Sequence, residues 1–124
     1  MKKILFIEDE QAIQRALGDI LRQEGYKVIS ALDGEIGLRL AKTEKPDLIL
    51  LDLALPKIHG LKVLAALKKD SKTKETPVII LTNIEQTKGV DKAIGLGATT
   101  YLVKTSYTLE EVKEKIKKSL EEQI

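Results

Sequence analysis

Five side chains stand where short apolar runs stop: Glu8, Asp9, Asp52, Thr82 and Lys104. Asp52 is the most abrupt. It follows Leu48–Leu51 inside Pro-Asp-Leu-Ile-Leu-Leu-Asp-Leu-Ala-Leu-Pro, which runs from Pro46 to Pro56. An apolar run without alternation suits a strand covered on both faces, as in a parallel sheet. In open α/β sheets, function gathers just beyond the carboxyl ends of the strands. Alone, Asp52 reads equally as a turn cap ahead of Pro56. The other strand ends change that balance. Glu8 and Asp9 follow one apolar run, Thr82 and Asn83 another, and Lys104 a third. Three carboxylates brought together repel and need a counter-charge. A divalent cation supplies one, and a carboxylate set with room for water suits magnesium. Lys104 offers a compact positive charge for an anionic oxygen, and Thr82 offers a hydroxyl. Cation, lysine and hydroxyl together suit the spread charge of a phosphoryl group. The remaining carboxylate, Asp52, can then act as nucleophile and form an aspartyl phosphate.

The elements that must position these groups are legible from periodicity. Strands are expected over Lys3–Ile7, Lys27–Ala31, Leu48–Leu51, Pro77–Leu81 and Thr100–Val103. Ile13, Ala16, Leu17, Ile20 and Leu21 mark an amphipathic helix over Glu10–Glu24, stopped by Gly25. Asp33 caps a second helix running to about Lys45, with Ile36, Leu40 and Ala41 on one face and Gly37 weakening it. Leu61–Lys69 is a third helix, with Val63, Leu64 and Leu67 inward. A fourth runs from about Glu85 to Leu96. Thr108 and Glu111 form a capping box for the last, whose inward face is Leu109, Val112, Ile116 and Leu120. Five alternating β–α units with short connections mean a parallel sheet with helices on both faces. Right-handed crossovers make it doubly wound.

The 124 residues suit one domain, expected over residues 1–124, with ordinary apolar content. There is no cysteine, which excludes disulfides, zinc–thiolate sites and thiol nucleophiles. A net charge of +2 is too small and too dispersed for nucleic acid to be the main partner. The apolar run Ile4–Ile7 ends in three acids, unlike a signal peptide, and no run approaches a membrane span. The cytoplasm is the expected location, with no membrane partner.

The strand-end set, in this order and spacing, resembles the receiver domain of bacterial response regulators. The resemblance runs the whole length. It covers Ile-Leu-Phe-Ile-Glu-Asp-Glu, Pro-Asp-Leu-Ile-Leu-Leu-Asp-Leu, Leu-Pro-Lys-Ile-His-Gly, Ile-Ile-Leu-Thr and Leu-Gly-Ala-Thr-Thr-Tyr-Leu-Val-Lys. It implies a five-stranded, flavodoxin-like (βα)5 fold of strand order 2-1-3-4-5. By the same resemblance Glu8 and Asp9 are the metal-side acids and Asp52 is phosphoacceptor and metal ligand. The Ala54 carbonyl is a further Mg2+ ligand, and Thr82 and Lys104 contact the phosphoryl oxygens. Thr82 and Tyr101 form the switch, against the plainer reading of Tyr101 as packing beside the fifth strand. A sensor histidine kinase or phosphotransfer protein is the implied donor. The implied output is a target protein bound on the face of helix 4, strand 5 and helix 5, without direct nucleic-acid contact. Such a chain assists its own phosphorylation and dephosphorylation and is not an enzyme of turnover. Ala54 and Ile84 occupy the two positions that influence hydrolysis in this family, and neither can orient a water, so slow loss of phosphate is expected.

The chain departs from the family pattern at several positions. Asn83 stands where a small residue is usual. Thr99 and Thr100 replace acids found in regulators that dimerise through their fourth and fifth helices, which argues against that dimer. No effector follows Ile124, so a stand-alone receiver or an excised domain is expected. Thr105 replaces the proline that usually follows the lysine. A cis bond costs about 0.5–1 kcal/mol before proline but about 3–4 otherwise, so a trans Lys104–Thr105 bond is expected.

Other readings are weaker. His59 is expected as an exposed loop residue, and the lysines at 57, 62, 68, 69, 72 and 74 as a solvated face. Gly95 and Gly97 are too isolated for a phosphate loop. An aspartate-nucleophile phosphohydrolase usually carries a second acid where Ala54 stands. A flavodoxin-like cofactor binder needs a first loop that welcomes phosphate, which Glu8, Asp9 and Glu10 would repel. The remaining alternative is a receiver-shaped interaction module that takes no phosphoryl group.

Overall fold

A computed structural model describes residues 1–56, 58–83 and 89–121. The expected roles of Ile84 and Lys57, and the expected start of the fourth helix at Glu85, lie outside the described residues. Five parallel strands form one sheet in the order β2-β1-β3-β4-β5. They are β1 (Lys3–Ile7), β2 (Lys27–Ala31), β3 (Leu48–Asp52), β4 (Val78–Thr82) and β5 (Thr100–Val103). The helices are α1 (Gln11–Gln23), α2 (Gly34–Glu44), α3 (Gly60–Lys69), α4 (Val90–Gly95) and α5 (Leu109–Glu121). This is the doubly wound architecture expected from the alternation.

The unbroken apolar runs occupy the middle of the sheet. Every residue of β3 and β4 is buried, whereas the edge strands β2 and β5 expose part of theirs. Alternate residues feed opposite layers. Ile4, Phe6, Leu48, Leu50, Ile79, Leu81 and Leu102 pack with Leu17 and Leu21 of α1 and Val112, Ile116 and Leu120 of α5. Leu5, Ile7, Ile49, Leu51 and Ile80 pack on the other side with Ala41 of α2, the α3 leucines and Ala93 of α4.

Caps fix the helix ends. Asp33 Oδ1 accepts from Ile36 N at 2.9 Å, and α2 stops at Lys45 in a left-handed conformation just before Pro46. Gly25 carries a φ of +96° beyond α1. Thr108 and Glu111 exchange both capping-box bonds, at 2.9 and 3.1 Å. Two packing expectations fail. Leu109, expected inward, is 36 % exposed because it opens α5 at the rim. Ala16 is exposed, one step off the α1 stripe.

Gly37 costs α2 helix propensity, and the reason is contact. A Cβ there would meet Ile7 Cδ1 at 2.6 Å and Cγ1 at 2.9 Å, and Ile7 is fully buried. The missing side chain lets α2 lie against β1. Gly37→Ala should therefore destabilise the protein: overpacking costs about 1–3 kcal/mol against a propensity gain of about 1 kcal/mol. Gly95, with nothing near its virtual Cβ, is the control. Gly95→Ala should leave stability unchanged or raise it by about 0.4–1 kcal/mol. Urea denaturation of both checks the contrast.

Candidate functional site

The strand period brings the charged groups together. Glu8 lies two residues past Phe6, Asp52 two past Leu50 and Lys104 two past Leu102. Each inherits the face that packs on α1 and α5. All three stand at the carboxyl edge of the parallel sheet, Glu8 and Asp52 on the neighbouring strands β1 and β3 and Lys104 beyond β4 on β5. Glu8 and Asp52 are buried while Asp9 is exposed, and one oxygen of each lies within 4.8 Å of the others.

Lys104 supplies the counter-charge. Its Nζ donates to Glu8 Oε1 at 2.5 Å and to Asp52 Oδ2 at 3.3 Å. Glu10, at the start of α1, lies 3.6 Å from the same ammonium. The Glu10 N–H donates to Glu8 Oε2 at 3.1 Å, so both Glu8 oxygens are engaged. Ala54 N donates to Asp52 Oδ1 at 3.1 Å, which orients the central carboxylate. Burial raises the Glu8 carboxyl to about 7; Lys104 pulls it down and the Asp52 charge pushes it up. Burial works against the charge of Lys104, but its bond to Glu8 and the charges of Asp52 and Glu8 outweigh that and hold it above the usual lysine range.

Thr82 ends β4 on the opposite parity, together with Ile80, and is fully buried. Its Oγ1 donates to Asn83 O at 3.0 Å. Tyr101 shares that face of the sheet on β5, borders a groove with Val90, Ile94 and Val103, and is 45 % exposed. The Lys104–Thr105 bond is trans, as expected. A single 3-10 turn over Lys104–Ser106 follows β5 directly.

The loop after β3 is pinned by Gly60. A Cβ there would lie 2.5 Å from Asp52 O and from Leu53 Cα, and Gly60 N donates to Leu53 O at 2.9 Å. His59 is exposed, as expected, but it also caps α3: its Nδ1 accepts from Leu61 N at 3.1 Å. Sequence reasoning missed Gln14. It is 6 % exposed, and its Nε2 donates to the carbonyls of Phe6, Glu8 and Ala31 at 2.8, 3.1 and 3.2 Å. The available signal was a polar residue beside Leu17 and Leu21 on the inward stripe of α1.

A model of the response regulator receiver domain matches residues 4–117. The chain belongs to the response regulator receiver family. It is 41 % identical over 118 residues to the alkaline phosphatase synthesis transcriptional regulatory protein PhoP of Bacillus subtilis, covering 94 % of this chain and 47 % of that one. The chain spans less than half the length of the curated relatives it matches. Among solved structures, a CheY-like receiver domain protein from Methanospirillum hungatei superposes with a TM-score of 0.90 at 30 % identity, over 99 % of this chain and 96 % of that one. The receiver domain of sensor histidine kinase PA1611 from Pseudomonas aeruginosa follows at 0.85 and 25 % identity, over 96 % and 97 %; its structure holds a magnesium ion in the active-site cleft. Receiver family and CheY-like fold agree with the residues quoted above. No described helix is long and apolar enough to cross a membrane.

One ammonium among several carboxylates leaves net repulsion. The Glu8 carboxyl sits above its ordinary 4.5, so the stability it supplies is full below that value and lost as pH rises through about 7. Asp52→Asn removes one repelling charge. Metal-free Asp52→Asn should gain on the order of 1 kcal/mol, and the gain should grow from about pH 5 to about pH 8. Urea titrations across that range check it; an unchanged or lower stability would contradict the repulsion.

Proposed function

We propose that the chain accepts a phosphoryl group on Asp52 from the histidine of a sensor kinase or phosphotransfer protein, with Mg2+ bound beside it. The observation that carries this reading is the placement of Asp52. It is a buried carboxylate at the open end of the central strand, oriented by Ala54 N and facing Lys104. In the transfer, the histidine N–P bond breaks as an Asp52 Oδ–P bond forms. Lys104 holds a phosphoryl oxygen, and the Thr82 hydroxyl turns from Asn83 O to a second.

The metal fits the residues present. Glu8, Asp9 and Asp52 converge as hard oxygen donors, and one lysine leaves their charge incompletely balanced. The Ala54 carbonyl adds a further ligand from the loop after β3. Magnesium suits such a set, and when bound it offsets the charge of the transferring group. The magnesium reported in the PA1611 receiver supports this choice.

Acceptance shifts an equilibrium through Thr82 and Tyr101, which share one face of the sheet, and alters the surface of α4, β5 and α5 for a target protein. A ligand moves such an equilibrium only by its differential affinity for the two states. The cytoplasm suits a soluble donor of this kind. The whole span 1–124 is taken as the phosphoacceptor domain, with no catalytic turnover of its own. The competing reading, an interaction module that takes no phosphoryl group, predicts no response to phosphate mimics.

A small phosphodonor with magnesium should add one phosphate to the wild type and none to Asp52→Asn, read by intact mass. Equal labelling of both would refute the assignment. Beryllofluoride with magnesium should shift the amide resonances of Asp52, Thr82 and Tyr101; silence there favours the interaction module. Dephosphorylation should be slow and should speed up in Ala54→Asn, because an amide side chain can orient an attacking water where a methyl cannot. The decay of the labelled protein measures this, and no acceleration would count against it.

A further inference from the structure

The loop that carries Glu8 and Asp9 has a brace outside the charged cluster. The β1–β2 ladder ends at Ile7 paired with Ala31. Beyond it the chain turns, and Glu8 O, past the end of β1, needs a donor, since buried backbone groups are almost always paired. Ala31 O takes Glu8 N at 3.0 Å. The side-chain amide of Gln14 meets that need and bridges to the strand ends: its two N–H groups serve Glu8 O, Phe6 O inside β1 and again Ala31 O at the end of β2, at 2.8–3.2 Å. Gln14 is also tied to the same loop through its own backbone, donating to Glu10 O at 3.0 Å. A flip of the amide would set Oε1 against three carbonyls, so the donor side is the side in use. Oε1 finds no partner among the described residues. The donors alone explain a polar side chain in this apolar position.

We propose that Gln14 is the positioning residue of the metal site: by holding the Glu8 carbonyl to the ends of β1 and β2, it sets where the Glu8 and Asp9 carboxylates stand, and so sets magnesium affinity. The inference rests on the proposed Mg2+ site and adds to it a residue that touches neither metal nor phosphate. The Glu8 backbone is held on one side by Ala31 O and on the other by Gln14 Nε2. Its carboxylate is held by Lys104 and Glu10 N. Without the Gln14 amide, the Glu8 backbone keeps its tether to Ala31 alone, and Asp9, exposed and next in the chain, loses its fixed origin. Outer hydrogen bonds that orient metal ligands typically govern affinity by about 10–100-fold.

The test is magnesium chloride titrated into wild type, Gln14→Met and Thr108→Ala, followed by calorimetry, with urea stability measured in parallel. Met keeps length and volume and removes both donors. Thr108→Ala loses the α5 capping box and serves as a variant destabilised away from this loop. Gln14→Met should bind magnesium about tenfold more weakly, and Thr108→Ala should bind as wild type does. If Gln14→Met loses stability yet keeps wild-type affinity, Gln14 only satisfies carbonyls and the proposal falls. Wild-type protein provides a second measurement, needing no variant to fold. The side-chain amide protons of Gln14 should shift with magnesium in step with the backbone amides of Glu8 and Asp9. Side-chain protons that stay still while those amides move overturn the proposal. A wild type that binds no magnesium removes the metal site and this inference together, whereas normal binding by Gln14→Met removes the inference alone.

Discussion

Everything at the open end of this sheet depends on one ammonium among buried carboxylates. Glu8 and Asp52 are 0 % and 1 % exposed, and an uncompensated charge at such a depth costs several kcal/mol. Lys104 meets both, which makes the burial tolerable without making it favourable. It is shared with Glu10 as well, so no single acid is fully neutralised. Burial raises the Glu8 carboxyl, the Asp52 charge adds to the rise, and the Lys104 ammonium does not undo it. The surrounding elements are apolar and tightly packed, and they hold the acids in place against their mutual repulsion. The negative charge left uncompensated at the site is what a bound cation would relieve.

The period of two carries the geometry. Counting on by two from Phe6, Leu50 and Leu102 reaches Glu8, Asp52 and Lys104, and counting from Ile80 reaches Thr82 on the other face. The unbroken runs of β3 and β4 announced central strands, and the structure pairs Ile49 to Asp52 with Val78 to Leu81. The convergence of the acids and the lysine was therefore legible from the sequence, while Thr82 shares their edge of the sheet and donates to Asn83 O. Element ends were less so. β3 and β4 each extend one residue further than expected, because Asp52 and Thr82 still take part in the ladder. Polarity alone suggested they lay past it.

What stayed hidden in the sequence depends on tertiary contact. Gln14 looks like an ordinary helix residue until carbonyls from two strands and from the loop after β1 arrive at its side chain. Gly37 looks like a defect until Ile7 is found where its side chain would be. His59 caps α3 through a ring nitrogen, a role that its place in a turn does not announce. Leu109 satisfied the helical stripe of α5 but sits at the first turn, where the stripe runs out from under its neighbours. Periodicity reports which face a residue occupies; it does not report where along the element the covering layer ends.

The bond between Lys104 and Glu8 joins residues 96 positions apart. Contacts of such long range carry a loop-closure cost before they return any stabilisation, and parallel sheets rich in them fold slowly. β5 needs β4 in place to join the sheet, since among the described residues it pairs with no other strand. Any species in which β1 and β3 have paired and β5 has not lacks the Lys104 contacts to Glu8 and Asp52. A partly folded chain holds Glu8, Asp9 and Asp52 together without a counter-ion, which favours its staying open at that edge. Closure of the charge cluster therefore requires β5 to dock, so the ion pair at this edge ties the last strand of the chain to the first.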